Sequence, residues 1–193
     1  MRDNRYTALV DANILVGALT RNLVLSFAEA GLYRPVWSET ILAETEQALR
    51  ALLDRKDGSG ERASRQCDEI RRAFPEAVVD GYEDIIPALD LPDAEDRHVL
   101  AAAIVGGASV IVTENLKHFP EGAVSQYQIE ASTCDAFLAD AIDLNAPVAI
   151  AAIRRMRARF RKPELTGEAL IVRMESIGLT ETADLLIKSA EII

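Results

Sequence analysis

Residues 6–16, Tyr-Thr-Ala-Leu-Val-Asp-Ala-Asn-Ile-Leu-Val, constrain the fold of this chain more than any other stretch. A short apolar run stops at Asp11 and a second apolar run follows at once. A strand covered on one face alternates apolar and polar residues, so the unbroken first run predicts a strand buried on both faces. Ile14, Leu15, Gly17, Ala18, Leu25, Phe27 and Ala28 recur at helical spacing and predict a helix after it. Asp11 then stands at the carboxyl end of a parallel strand, beside a helix N-terminus, and in open α/β sheets ligands bind at that edge. Aspartate also caps helices, and the stretch alone leaves both readings open.

The chain then repeats the pattern. Gly31 stops the first helix. Leu32 to Trp37 predicts a short strand whose pairing Pro35 leaves incomplete. Ser38 caps a helix to about Leu53, with Ile41, Leu42, Thr45, Ala48, Leu49, Leu52 and Leu53 as its apolar stripe. A polar loop at 54–60, a charged surface helix from Glu61 to Phe74 and a short strand at 77–79 follow. Leu91-Pro92-Asp93-Ala94-Glu95-Asp96 opens a helix running to Gly106-Gly107, and Ser109 to Thr113 is a second doubly apolar strand. This alternation predicts a three-layer α/β/α sandwich with a parallel sheet. From about Ser132 only helical patterns remain, with Asn145, Thr166 and Thr180 as N-caps and Gly178 as a stop. The expected organisation is an α/β domain over 1–131 and an all-α extension over 132–193.

Composition narrows the chemistry. The chain has two cysteines, two histidines and a net charge of −10. Cys67 and Cys134 are too isolated for a disulfide framework, and His98 and His118 too few for a histidine-rich zinc site. Oxygen ligands favour Mg²⁺ or Mn²⁺. No apolar run approaches the roughly 18 residues of a membrane span, and no apolar signal region precedes the first strand, so a cytoplasmic protein is expected. The acidic balance argues against a generic nucleic-acid-binding surface.

Asp96 is the acid that pattern explains least. On a helical wheel it falls on the face of Val99, Leu100, Ala103 and Gly107, whereas Glu95 and His98 point elsewhere. A carboxylate on a buried stripe is costly unless paired. A capping box, with Asp93 as N-cap and Asp96 reaching back, accounts for it equally well. Glu44 and Glu46 flank the preceding helix's apolar stripe, where a solvated glutamate is the common outcome. Asn115 lies just past the second strand and alone reads as a turn residue. Together, Asp11, Asp96 and Asn115 fall at one edge of a parallel sheet. Carboxylates converging there without lysine or arginine raise one another's pKa, and a divalent cation removes that conflict.

These residues resemble a PIN domain, the nuclease fold of VapC-type toxins in bacterial toxin–antitoxin pairs. The resemblance rests on four pieces in order over residues 5–135: Leu9-Val10-Asp11-Ala12-Asn13, Trp37-Ser38-Glu39-Thr40-Ile41-Leu42-Ala43-Glu44, the segment from Leu91 to Ala103, and Val110 to Pro120. It implies that Asp11, Glu44 and Asp96 hold Mg²⁺ or Mn²⁺; it is the resemblance, not the wheel, that selects Glu44 over Glu46. Thr113 matches the threonine closing the last catalytic strand, and Asn115 occupies the place of a fourth acid. Asn13, Asp93 and Thr113 stand behind the metal acids, and Asp93 can compensate for Asn115. The implied activity is endoribonuclease cleavage of RNA, by a homodimer inhibited by a co-encoded antitoxin protein.

Residues 154–162 carry six bases and no acid. Arg154, Arg155 and Arg161 lie off the apolar stripe of that helix, either as a solvated face or as contacts to RNA phosphates. Two rivals stand beside the nuclease. Phosphoryl transfer of the haloacid-dehalogenase type also begins at a strand-end aspartate, but wants a second aspartate where this chain has Asn13. A catalytically inactive PIN module would act only by binding RNA or a partner protein, and Asn115 gives it weight.

Overall fold

The computed structural model describes residues 6–53, 59–160 and 164–193. Strand β1 (Thr7–Val10) is buried along its whole length, as is β3 (Val110–Val112). With β2 (Arg34–Val36) and β4 (Glu130–Ser132) they form a parallel sheet in the order β2-β1-β3-β4. Every neighbouring pair is parallel, so helices must carry the chain back between strands. The four-stranded parallel sheet flanked by helices, followed by C-terminal helices, is the expected fold class.

Register sets up the site. Val10 faces Val112 across the ladder, so the next residues, Asp11 and Thr113, emerge side by side at the carboxyl edge. Pro35 lies in β2 at the sheet's edge, where its missing N–H does no harm. Residues 77–79 make only a bridge from Val78 to Trp37. The sequence reading passed over β4: its three residues, Glu-Ala-Ser, are at most half-buried and carry no strand pattern.

The chain divides into two compact units. One, made of the described residues among 6–17 and 34–132, holds the sheet with α1 (Ala12–Val16), α3 (Glu39–Leu53), α4 (Ser59–Ala73), α5 (Arg97–Gly106) and α6 (Glu121–Val124). Leu49 of α3 packs on Ala63 and Cys67 of α4, with Val16 and Leu53 against them. Ser38, buried, accepts from the Ile41 N–H and caps α3. Cys67 and Cys134 are both buried.

The other unit joins α2 (Ala18–Glu29) to α7 (Cys134–Leu144), α8 (Ala146–Arg157), α9 (Gly167–Ser176) and α10 (Thr180–Leu186). Tyr33 stacks edge-on against Phe137, with ring centroids 4.9 Å apart. The helix expected from residue 12 through Ala28 is broken at Gly17, whose ψ of 121° is extended; glycine costs about 1 kcal/mol inside a helix, which makes it the cheapest place to break. Asn145 and Thr166 cap α8 and α9 as expected. Thr180 does not cap α10: it is that helix's first residue, and Asp135 accepts from the N–H groups of Glu181 and Thr182 instead, both at 2.9 Å. The loop expected at 54–60 lies mostly outside the described residues, as do Met1–Arg5 and Arg161.

Candidate active site

Asp11 is 5% exposed. Its Oδ1 accepts from the Ala12 N–H at 2.7 Å, so the cap reading holds. Its Oδ2 accepts from the Thr113 hydroxyl at 2.7 Å and from the Asn13 amide at 2.6 Å. Thr113, fully buried, in turn accepts from the Asn13 amide and from the Asn115 N–H, while Asn13 Oδ1 accepts from the Glu114 N–H. Asn13 and Thr113 thus lock two adjoining strand ends around one carboxylate.

That carboxylate is held under tension. Burial pushes the Asp11 carboxyl above its ordinary value, the hydrogen bonds from Thr113 and Ala12 pull it back, and the charges of Asp96 and Glu44 push it up again; the net shift is upward. Asp96 and Glu44, the other two acids that the resemblance picked, thus lie near enough for their charges to act on Asp11. Glu44 reaches the site from α3 with its side chain 44% exposed. Glu46 pairs instead with Arg50 at 2.5 Å, a helix-surface contact one turn away.

Asp93 and Asp96 divide the capping-box roles. Asp93 accepts from the Glu95 N–H and starts the 3-10 turn Ala94–Asp96. Asp96, at the N-cap of α5, makes no capping bond. Its side chain, 21% exposed rather than on a buried stripe, goes to His118, with Oδ2 2.6 Å from Nδ1. Asn115 is exposed, and its backbone rather than its amide ties into the cluster.

Sequence reasoning missed both histidines. His98, expected to point elsewhere, lies 14% exposed with Nε2 3.0 Å from Glu44 Oε1. The wheel assumed one continuous helix, whereas a 3-10 turn of three residues per turn precedes Arg97 and changes the phase. The available signal was scarcity: both histidines sit within three residues of a candidate site residue.

Among the described residues, no lysine or arginine pairs with Asp11, Glu44, Asp93 or Asp96. Hard oxygen donors, a carboxylate raised by burial and further by its acidic neighbours, and no competing lysine or arginine among the described residues fit a divalent metal ion. Among the described residues, the acids and histidines that each offer a ligand atom within 4.8 Å of one another are Asp93, Asp96 and His118, not Asp11 with Glu44 and Asp96. No helix among the described residues is long and apolar enough to cross a membrane.

Comparison with known proteins gives matches to two family profiles. The PIN domain profile matches residues 7–117, and the VapC50 C-terminal domain profile matches residues 134–187. Over 91 residues the chain is 45% identical to the protein named "Putative ribonuclease VapC50" from Mycobacterium tuberculosis (strain ATCC 25618 / H37Rv). That alignment covers 47% of this chain and 53% of the relative, so it spans about half the length of the curated protein it matches. No solved structure gives a significant match. The PIN match covers more than half of the chain and takes in every carboxylate of the site, and the chain belongs to the PIN-domain family.

Proposed function

We propose that this chain is a Mg²⁺- or Mn²⁺-dependent endoribonuclease, the toxin of a toxin–antitoxin pair. The observation that carries the reading is Asp11: a buried carboxylate, raised by burial and by the charges of Asp96 and Glu44, with no lysine or arginine paired to it among the described residues. The name of the similar protein, a ribonuclease, supports the same reaction class.

Asp11, Glu44 and Asp96 hold the cation, which when bound activates water and stabilises charge on a phosphodiester. The chain's own residues do the rest. Thr113 and Asn13 fix one oxygen of Asp11 from two sides. Asp93 holds the turn that delivers Asp96. One carboxylate of the cluster accepts the proton of the attacking water. Asn115, exposed beside Thr113, offers an amide oxygen where a fourth acid stands in the family.

The nuclease occupies residues 1–131 and the helical extension 132–193 in this reading. The protein is cytoplasmic and dimeric, acts on RNA and is held in check by a co-encoded antitoxin. Arg154 and Arg155, exposed on α8, contact RNA phosphates together with Arg161. Asn115 favours a second reading, an inactive module that only binds. Incubating RNA with wild type, Asp11→Asn and Asp96→Asn in Mn²⁺ decides between them. Cleavage by wild type alone, with all three folded, supports the nuclease; cleavage retained in both variants removes the site. A wild type that neither cleaves RNA nor is stabilised by Mn²⁺ supports the inactive module.

A further inference from the structure

The chain has two histidines in 193 residues, and both lie against carboxylates of the candidate site. His98 Nε2 is 3.0 Å from Glu44 Oε1, and His118 Nδ1 is 2.6 Å from Asp96 Oδ2. A carboxylate can only accept, so each facing nitrogen carries the proton. The two rings therefore present different nitrogens to their acids. The other nitrogen of His98, Nδ1, is buried with no hydrogen-bond partner among the described residues.

We propose that His98 and His118 are positioning residues that hold Glu44 and Asp96 in the orientation that binds the metal ion. The inference rests on the nuclease reading and adds to it the groups that aim two of its three acids. Each histidine occupies one carboxylate oxygen, and the other oxygen of each acid has no partner among the described residues. One oxygen is thus tied and the other is left for a cation. A neutral imidazole can orient a carboxylate without cancelling its charge, whereas a guanidinium or ammonium would do both. Asp11 needs no histidine because Thr113, Asn13 and the Ala12 N–H already hold it. Glu44 and Asp96 are more exposed and have no such cradle. Glu44 sits within α3, and the side chain that steadies it, His98, comes from another element, α5.

The two contacts use different nitrogens, which gives a matched set of variants. A glutamine amide can reach the place of Nε2, and an asparagine amide the place of Nδ1. Mn²⁺ binding to the full chain, read by calorimetry and by loss of the free-ion electron spin resonance signal, is measured for wild type, His98→Ala, His98→Gln, His118→Ala and His118→Asn. Unfolding midpoints without metal confirm that each variant folds. The alanine variants are expected to bind Mn²⁺ about 10–100-fold more weakly, and the amide variants to recover to within about threefold of wild type. Alanine variants that bind like wild type overturn the proposal, as do amide variants that recover nothing. Spin-echo modulation on the Mn²⁺ complex supplies the remaining check. A ¹⁴N coupling that disappears in His118→Ala makes that ring a ligand rather than a positioning group, and overturns its assignment. A wild type that binds no Mn²⁺ fails the nuclease reading itself, and this inference with it.

Discussion

Asp11, in the sheet-bearing unit, and Asp135, in the helical unit, do the same local job in opposite electrostatic settings. Both accept hydrogen bonds from the N–H groups that open a helix. For Asp135, burial raises the carboxyl, but bonds from the Thr182 and Glu181 N–H groups and from the Thr182 and Thr180 hydroxyls outweigh it and leave it below its ordinary value. For Asp11, burial prevails over two hydrogen bonds, and Asp96 and Glu44 add to the rise. A cap alone needs no other acid nearby. Where a buried capping aspartate is also destabilised by two further carboxylates, capping alone does not explain the arrangement, and a bound divalent cation would relieve it.

The contrast breaks most visibly on substitution. Asp11→Asn is expected to lower RNA cleavage by about 100-fold or more while leaving the unfolding midpoint at neutral pH unchanged or higher. Asp135→Ala is expected to keep cleavage intact and to cost about 1 kcal/mol of stability, a drop of roughly 2–4 °C in the midpoint. Cleavage by Asp11→Asn at the wild-type rate would erase the distinction.

Metal and pH sharpen it next. The raised pKa of Asp11 means that its contribution to stability is present below the unfolded value and lost as pH rises through the folded value. Ionised Asp11 therefore burdens the fold from about pH 4 upward. Mn²⁺ is expected to raise the wild-type midpoint at neutral pH, chelation to reverse this and stop cleavage, and Asp11→Asn to show little response. The lowered pKa of Asp135 has the opposite sign: its stabilisation is present above the unfolded value and lost as pH falls through the folded one. The stability difference between wild type and Asp135→Ala should therefore shrink below about pH 4 in acid titrations of unfolding.

Within the sheet-bearing unit, Glu44→Gln is expected to weaken Mn²⁺ binding, and Glu46→Gln, which loses only the exposed Arg50 pair, to change stability by under about 0.5 kcal/mol. Equal effects on metal binding would undo the choice of Glu44. The smallest effect is expected in the helical unit. Replacing Arg154 and Arg155 by alanine should reduce the salt slope of single-stranded RNA binding by about 1.4 if each meets one phosphate. An unchanged slope makes them a solvated face.

Legibility followed burial. β1 and β3 were readable because a strand buried on both faces must be apolar throughout, and the aspartate ending the first is visible against it. β4 was not, because a half-exposed three-residue edge strand needs no pattern. The cap of α10 was misassigned to Thr180 because its acceptor, Asp135, is 46 residues from Glu181 in the chain. Glu44 and Glu46 looked alike on the helix, and only their partners, His98 and Arg50, separate them.

From residue order alone came the parallel sheet, the carboxyl-edge position of Asp11 and the helical character of the C-terminal third, since each follows from periodicity along one segment. Which acids share a field, which histidine meets which carboxylate, and the grouping of α2 with the C-terminal helices depend on contacts between segments far apart in the chain. Local patterns encode which side of an element is buried. They do not encode what lies opposite it.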